Sequence, residues 1–203
     1  MCSSDLGVSG ALTLCTGTSS CGISGAIAIC TGSANGGASG AVTICTGDAL
    51  GGVGGDIDIL VGSGNTGAGG DISIIAGDTV DVQTGGSITI SSGIGTLRSS
   101  GNIKMNTANA GTLGVSGYVY FSTGTTNEGD SGSLVMCSGS ADSGYSGDIT
   151  LCTGVTNDGC SGGITLCTGT SDAGSSGAVL ISSGSADSGC SGGITLCTGT
   201  ADE

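Results

Sequence analysis

Ser161-Gly-Gly-Ile-Thr-Leu-Cys-Thr-Gly-Thr-Ser-Asp-Ala-Gly-Ser175 is one copy of a phrase that fills nearly the whole chain. A Ser-Gly or Gly-Gly pair recurs with its second Gly at 10, 25, 40, 55, 70, 86, 101, 117, 132, 147, 162, 177 and 192. That makes 13 units at a step of 15 residues, with two steps of 16 between Gly70 and Gly117. Repeats of this kind mark chains built by stacking one small structural unit. The positions of each unit are numbered 1 to 15 from the Ser or Gly that precedes the quoted glycine.

Position 4 is Leu, Ile or Val in every unit, as in Leu12, Val42 and Ile164, and position 6 is always apolar, as in Leu14, Met105 and Leu166. Position 5 between them is usually small or polar, as in Thr13, Lys104 and Thr165. That alternation predicts a half-buried strand. Glycine at position 9 of 12 units predicts the strand end. The glycine at position 14, with the Ser-Gly pair after it, predicts a second corner, where glycine supplies positive φ or close approach. One unit cannot bury its own apolar face; stacked units can. The pattern therefore predicts an all-β chain: a single β-solenoid, or parallel β-helix, over residues 1–203, with about 13 coils and a flattened two-sided section. At roughly 4.8 Å per rung the coils would span about 60 Å. The alternation argues against a disordered Gly/Ser chain, and the density of Gly and β-branched residues against helical repeats. Coils at about 78–121 are predicted to be irregular. They hold both long steps, both bases and three of the four aromatic residues.

Composition narrows the function. The chain has 46 Gly, 11 Cys, no Pro, no His and no Trp, with 16 acids against Arg98 and Lys104 for a net charge of -14. Without His there is no Ser-His-Asp or Cys-His chemistry and no His-ligated metal. Two bases give no grip on nucleic acid or acidic lipid. Apolar runs of about five residues predict no membrane insertion. The start Met1-Cys2-Ser3-Ser4-Asp5 does not read as a signal peptide. Gly159-Cys-Ser-Gly-Gly163 and Gly189-Cys-Ser-Gly-Gly193 match a nucleophile elbow but have no base. Gly62-Ser-Gly-Asn-Thr-Gly67 matches a dinucleotide fingerprint with no helix after it. Gly51-Gly-Val-Gly-Gly-Asp56 matches the start of a calcium nonapeptide only once, in the wrong period. No catalytic residue, cofactor or metal is predicted.

Seven cysteines fall at position 7: Cys15, Cys30, Cys45, Cys137, Cys152, Cys167 and Cys197. No C-x-x-C occurs, so zinc-ribbon and thioredoxin chemistry lack support. The expected arrangement is a corner-filling ladder of small buried hydrophobes. Disulfides, with an extracellular or cell-surface location, are the alternative. Position 12 carries Asn or Asp in most units, as in Asn35, Asn157 and Asp172, and is read as turn chemistry in which the side chain bonds nearby backbone.

Thr or Ser pairs flank the position-9 glycine as Thr16/Thr18, Thr31/Ser33, Thr123/Thr125, Thr168/Thr170 and Thr198/Thr200. In these T-x-T rows and in its Thr- and Cys-rich composition the chain resembles the insect β-solenoid antifreeze proteins. The resemblance implies a flat face that orders ice-like water. Asp48, Val61, Asp78, Ile94 and Val155 interrupt the rows. A second candidate surface is a contact patch of Arg98, Lys104, Tyr118 and Tyr120, since exposed aromatics favour interfaces.

Two functions follow. The first is a non-enzymatic structural repeat protein, a stiff acidic rod assembling end-to-end or in a filament, coat or surface layer. Its partners would be copies of itself or neighbouring chains, because bare strand edges at the ends template pairing. The alternative is an ice-binding protein whose partner is ice.

Overall fold

The computed structural model describes residues 10–199. It divides into two units, Met1–Ile103 and Lys104–Glu203.

Among the described residues there is no helix and no strand. The expected all-β class and the β-solenoid are therefore overturned. In the first unit the chain bends at 20–22, 35–37, 50–52, 65–67, 80–83 and 96–98. In the second it turns at 112–113 and bends at 127–129, 142–144, 157–159, 172–174 and 187–189. These stations repeat with the sequence and fall at positions 12 to 14 (to 15 in the longer unit at 80–83). Each repeat whose bend lies among the described residues thus has one corner, not two. The position-9 glycines, such as Gly32 and Gly154, show no bend.

Glycine with positive φ supplies the corner at six of the twelve bends. Gly22, Gly67, Gly129, Gly144, Gly159 and Gly189 all have positive φ, and all stand at position 14. At φ 121 for Gly159, an L side chain is strained whatever the space. Hydroxyls at position 11 brace several of these bends. The Gly174 amide donates to Ser171 Oγ at 3.0 Å, and Thr126 Oγ1 donates to the Glu128 carbonyl at 2.9 Å. Position-12 Asn and Asp make no such bond among the described residues, so the bends are braced one residue earlier than expected.

The arms on either side of a bend meet at one point. The position-8 side chain rests on the position-2 glycine of the following repeat. A Cβ added at Gly40 would lie 3.3 Å from Thr31 Cγ2, and one added at Gly177 would lie 3.5 Å from Thr168 Cγ2. Where Val61 replaces Thr, a Cβ added at Gly70 would lie 2.8 Å from Val61 Cγ1. Space is tight at Gly40, Gly70, Gly86 and Gly117, whereas an added Cβ would make only ordinary contact at Gly132 or Gly162.

Nothing closes a rung. Among the described residues the backbone–backbone hydrogen bonds are Gly86 N to Gly77 O (2.9 Å), Gly101 N to Gly93 O (3.0 Å) and Gly114 N to Gly111 O (3.3 Å). None joins residues fifteen apart, as a stacked coil requires. All three lie between 77 and 114, in the stretch expected to be irregular. The physical cause lies at positions 9 to 15. They are mostly Gly, Ala, Ser, Thr, Asn and Asp, so they offer the Ile/Leu pairs no opposing apolar wall. Ordering that polar stretch costs conformational entropy, about 1–2 kcal/mol per residue of backbone. Contact with it returns little apolar burial.

No core forms among the described residues, and no side chain is buried. The period-2 alternation survives as graded exposure. Position 4 is about half exposed (Ile27 49%, Ile164 50%), position 6 more so (Ile29 70%), and apolar residues at position 7 face out (Leu60 85%). Positions 2, 4, 6 and 8 thus form the inner side of each arm, and 3, 5 and 7 the outer side.

The bend makes a direct prediction. Gly159→Ala strains the 157–159 bend by about 1–2 kcal/mol, the cost of a left-handed L residue. Gly154→Ala, with nothing within 4 Å of its added Cβ, is neutral. Amide chemical shifts over residues 156–162 check this: they move for Gly159→Ala and stay for Gly154→Ala.

Candidate functional site

The Thr rows are built from two unlike halves. Position 8 is turned into the corner. Beyond the methyl contacts on glycine, Thr31 Oγ1 donates to the Gly40 carbonyl at 3.1 Å, and Thr107 Oγ1 to the Gly117 carbonyl at 3.2 Å. Thr16, Thr123 and Thr168 place Cγ2 3.4 to 3.6 Å from a Cβ built on Gly25, Gly132 and Gly177. Position 10, represented by Thr18, Ser33, Thr125 and Thr170, is exposed and makes no side-chain hydrogen bond among the described residues. Thr198 is exposed, and Thr200 lies outside the described residues. The two members of each pair therefore do different work. Among the described residues both are exposed; position 8 lies beside the glycine of the next repeat, and position 10 makes no side-chain hydrogen bond.

The expected contact patch is divided between the units. Arg98 closes the 96–98 bend of the first unit. A Cβ added at Gly95 would meet the Ser99 and Arg98 carbonyls, so this bend has no room for a side chain there. Lys104, Tyr118 and Tyr120 belong to the second unit. Tyr118 and Tyr120 occupy the outer positions 3 and 5 and are exposed.

The cysteines depart from the reading of buried corner fillers. Cys15, Cys30, Cys45, Cys137, Cys152, Cys167 and Cys197 are exposed and free, as are Cys21, Cys160 and Cys190. Position 7 has the parity of the outer side, which explains why. Among the described residues no group of three or more acids and thiols is placed to hold a metal ion, and no cavity is enclosed.

Two features escaped the sequence reading. One is the position-11 brace, and its signal was available: Ser19, Thr126, Thr156 and Ser171 each precede a position-14 glycine by three residues. Thr156 Oγ1 donates to the Asp158 carbonyl at 3.3 Å in the same manner as Thr126. The other is the exposure of the thiols, which the alternation of sides implies.

No protein-family model, curated protein or solved structure matches the chain.

Proposed function

We propose that the chain is a non-enzymatic structural repeat protein that works by lateral association with copies of itself. The observation that carries this reading is the unburied Ile/Leu row, repeated at positions 4 and 6, with no core among the described residues. Apolar surface gains roughly 25 cal/mol per Å² when removed from water, and contiguous exposed patches of this kind are interaction surfaces. The backbone supports the same reading. Unpaired N–H and C=O groups along extended arms template pairing with another chain.

Charge placement permits the contact. Within residues 10–199 only Asp56, Asp58, Asp71 and Asp148 lie at positions 3 to 8; the other acids fall at positions 10 to 15, in or beside the bends. The arms are nearly neutral and the bends carry the repulsion. Like charges therefore sit beside the contact rather than across it.

Sedimentation velocity of the reduced chain over a hundredfold concentration range tests the proposal. A sedimentation coefficient that rises with concentration supports it. A single slow species throughout refutes it. Ice binding through the position-10 hydroxyls is the second reading, and thermal hysteresis from that slow species would favour it.

A further inference from the structure

We infer that the position-7 thiols form a covalent staple between two copies of this chain, each cysteine bonding its own counterpart in a parallel, in-register pair. The inference rests on self-association to gather copies, and the staple joins the outer side of an arm to a copy other than the one its inner side packs against.

The thiols are accessible and unpaired. They share one position of the repeat, and parallel in-register pairing sets each of them opposite its own counterpart. Reversing one chain matches six at best: Cys15 then faces Cys167, Cys30 faces Cys152 and Cys45 faces Cys137, and Cys197 is left unmatched.

The residues beside the thiols permit the approach that a disulfide needs. Its Cα atoms lie about 4.4–6.8 Å apart, with Cβ vectors converging. Outer sides packed face to face point their Cβ atoms at one another, and close approach then requires small neighbours. Positions 3 and 5 beside the thiols are Ala26 and Ala28 for Cys30, Ala41 and Thr43 for Cys45, and Gly163 and Thr165 for Cys167. Tyr118, Tyr120 and Leu180 stand in units that lack the position-7 cysteine, and Val135 beside Cys137 is the bulky exception. Charge follows the same division. Asp56, Asp58, Asp71 and Lys104 all belong to thiol-free units, and Asp148 is the one charged neighbour of a position-7 thiol at positions 3 and 5.

The chemistry is thiol–disulfide exchange with a small-molecule disulfide as oxidant. A Cys thiolate of one copy attacks the oxidant and releases one small thiol, forming a mixed disulfide. The facing thiolate attacks that protein sulfur and releases the second small thiol. Two protein thiols are oxidised to one disulfide, one small disulfide is reduced to two thiols, and the protons pass to the leaving thiolates.

The test uses the full chain, mixed equally from unlabelled and 15N-labelled preparations and treated with oxidised glutathione. Cross-linked peptides are mapped by mass spectrometry. Links between like cysteines, such as Cys30 to Cys30 with mixed isotopes, support the staple. Links between unlike cysteines, links within one chain, or no protein–protein links overturn it. Replacing the seven position-7 cysteines by Ser removes the covalent dimer, while replacing Cys21, Cys160 and Cys190 leaves it. Sedimentation of the reduced chain separates the two proposals. Association without like-to-like links refutes the staple alone; a reduced chain that never associates refutes the association it rests on.

Discussion

Ile149→Asp combined with Ile164→Asp raises the concentration needed for self-association by about 100-fold. Both residues stand at position 4, on the inner side of consecutive arms, and each is about half exposed. Full burial of an aliphatic side chain contributes roughly 1.5–3 kcal/mol, and about half of that remains to be gained on association. Losing about 1.4 kcal/mol per site is a factor of ten per site. The two sites lie on different repeats and share no partner in the chain, so their effects add. The buried carboxylates oppose association further unless they find partners. Ser143→Asn, in the 142–144 bend, is the control and leaves the concentration unchanged. Sedimentation velocity reads both variants against the parent.

Added salt strengthens association, by about tenfold between 10 mM and 150 mM monovalent salt. The chain carries a net charge of -14, and bringing two copies together sets like against like. The screening length falls from about 30 Å at 0.01 M to about 8 Å at 0.15 M. Over that range the repulsion between bends is largely removed, while the apolar contact is hardly touched. Light scattering in a salt titration at fixed concentration checks the sign. Scattering that falls with salt would mean that charge pairs, not apolar rows, hold the copies together. Arg98 and Lys104 would then be the residues to replace.

The sequence made the period legible and left the closure hidden. The period marked where bends recur, although it also predicted a corner at position 9 that does not form. At Gly144 and Gly159 the chain turns where φ excludes an L side chain, whereas Gly37, Gly52 and Gly174 hold the same position without positive φ. The alternation at Ile164, Thr165, Leu166 and Cys167 likewise marked two sides of an arm, and the graded exposure follows it. What the pattern could not supply was a second wall. A stacked coil needs partners opposite Ile164 and Leu166, and Ser171, Asp172, Ala173 and Gly174 do not provide them. Reading the period as a solenoid assumed that wall.

The candidate rows fared similarly. Thr168 and Thr170 look equivalent on paper, because both flank Gly169. They differ because Gly177 of the next repeat receives the methyl of Thr168. Spacing within one repeat does not contain that contact. The cysteines carried the opposite lesson. Their hydrophobic character favoured burial, yet parity placed them outside, and parity was the better guide.

The glycine that receives each position-8 side chain has one further consequence. Its contact spans nine or ten residues and so never reaches past the adjoining unit. A gene that slips by 45 nucleotides during replication would add or delete one whole phrase, and only a single junction would have to re-form. Lineages carrying such a gene are expected to differ in the number of phrases, with the thiols kept at position 7 wherever matching copies must still meet.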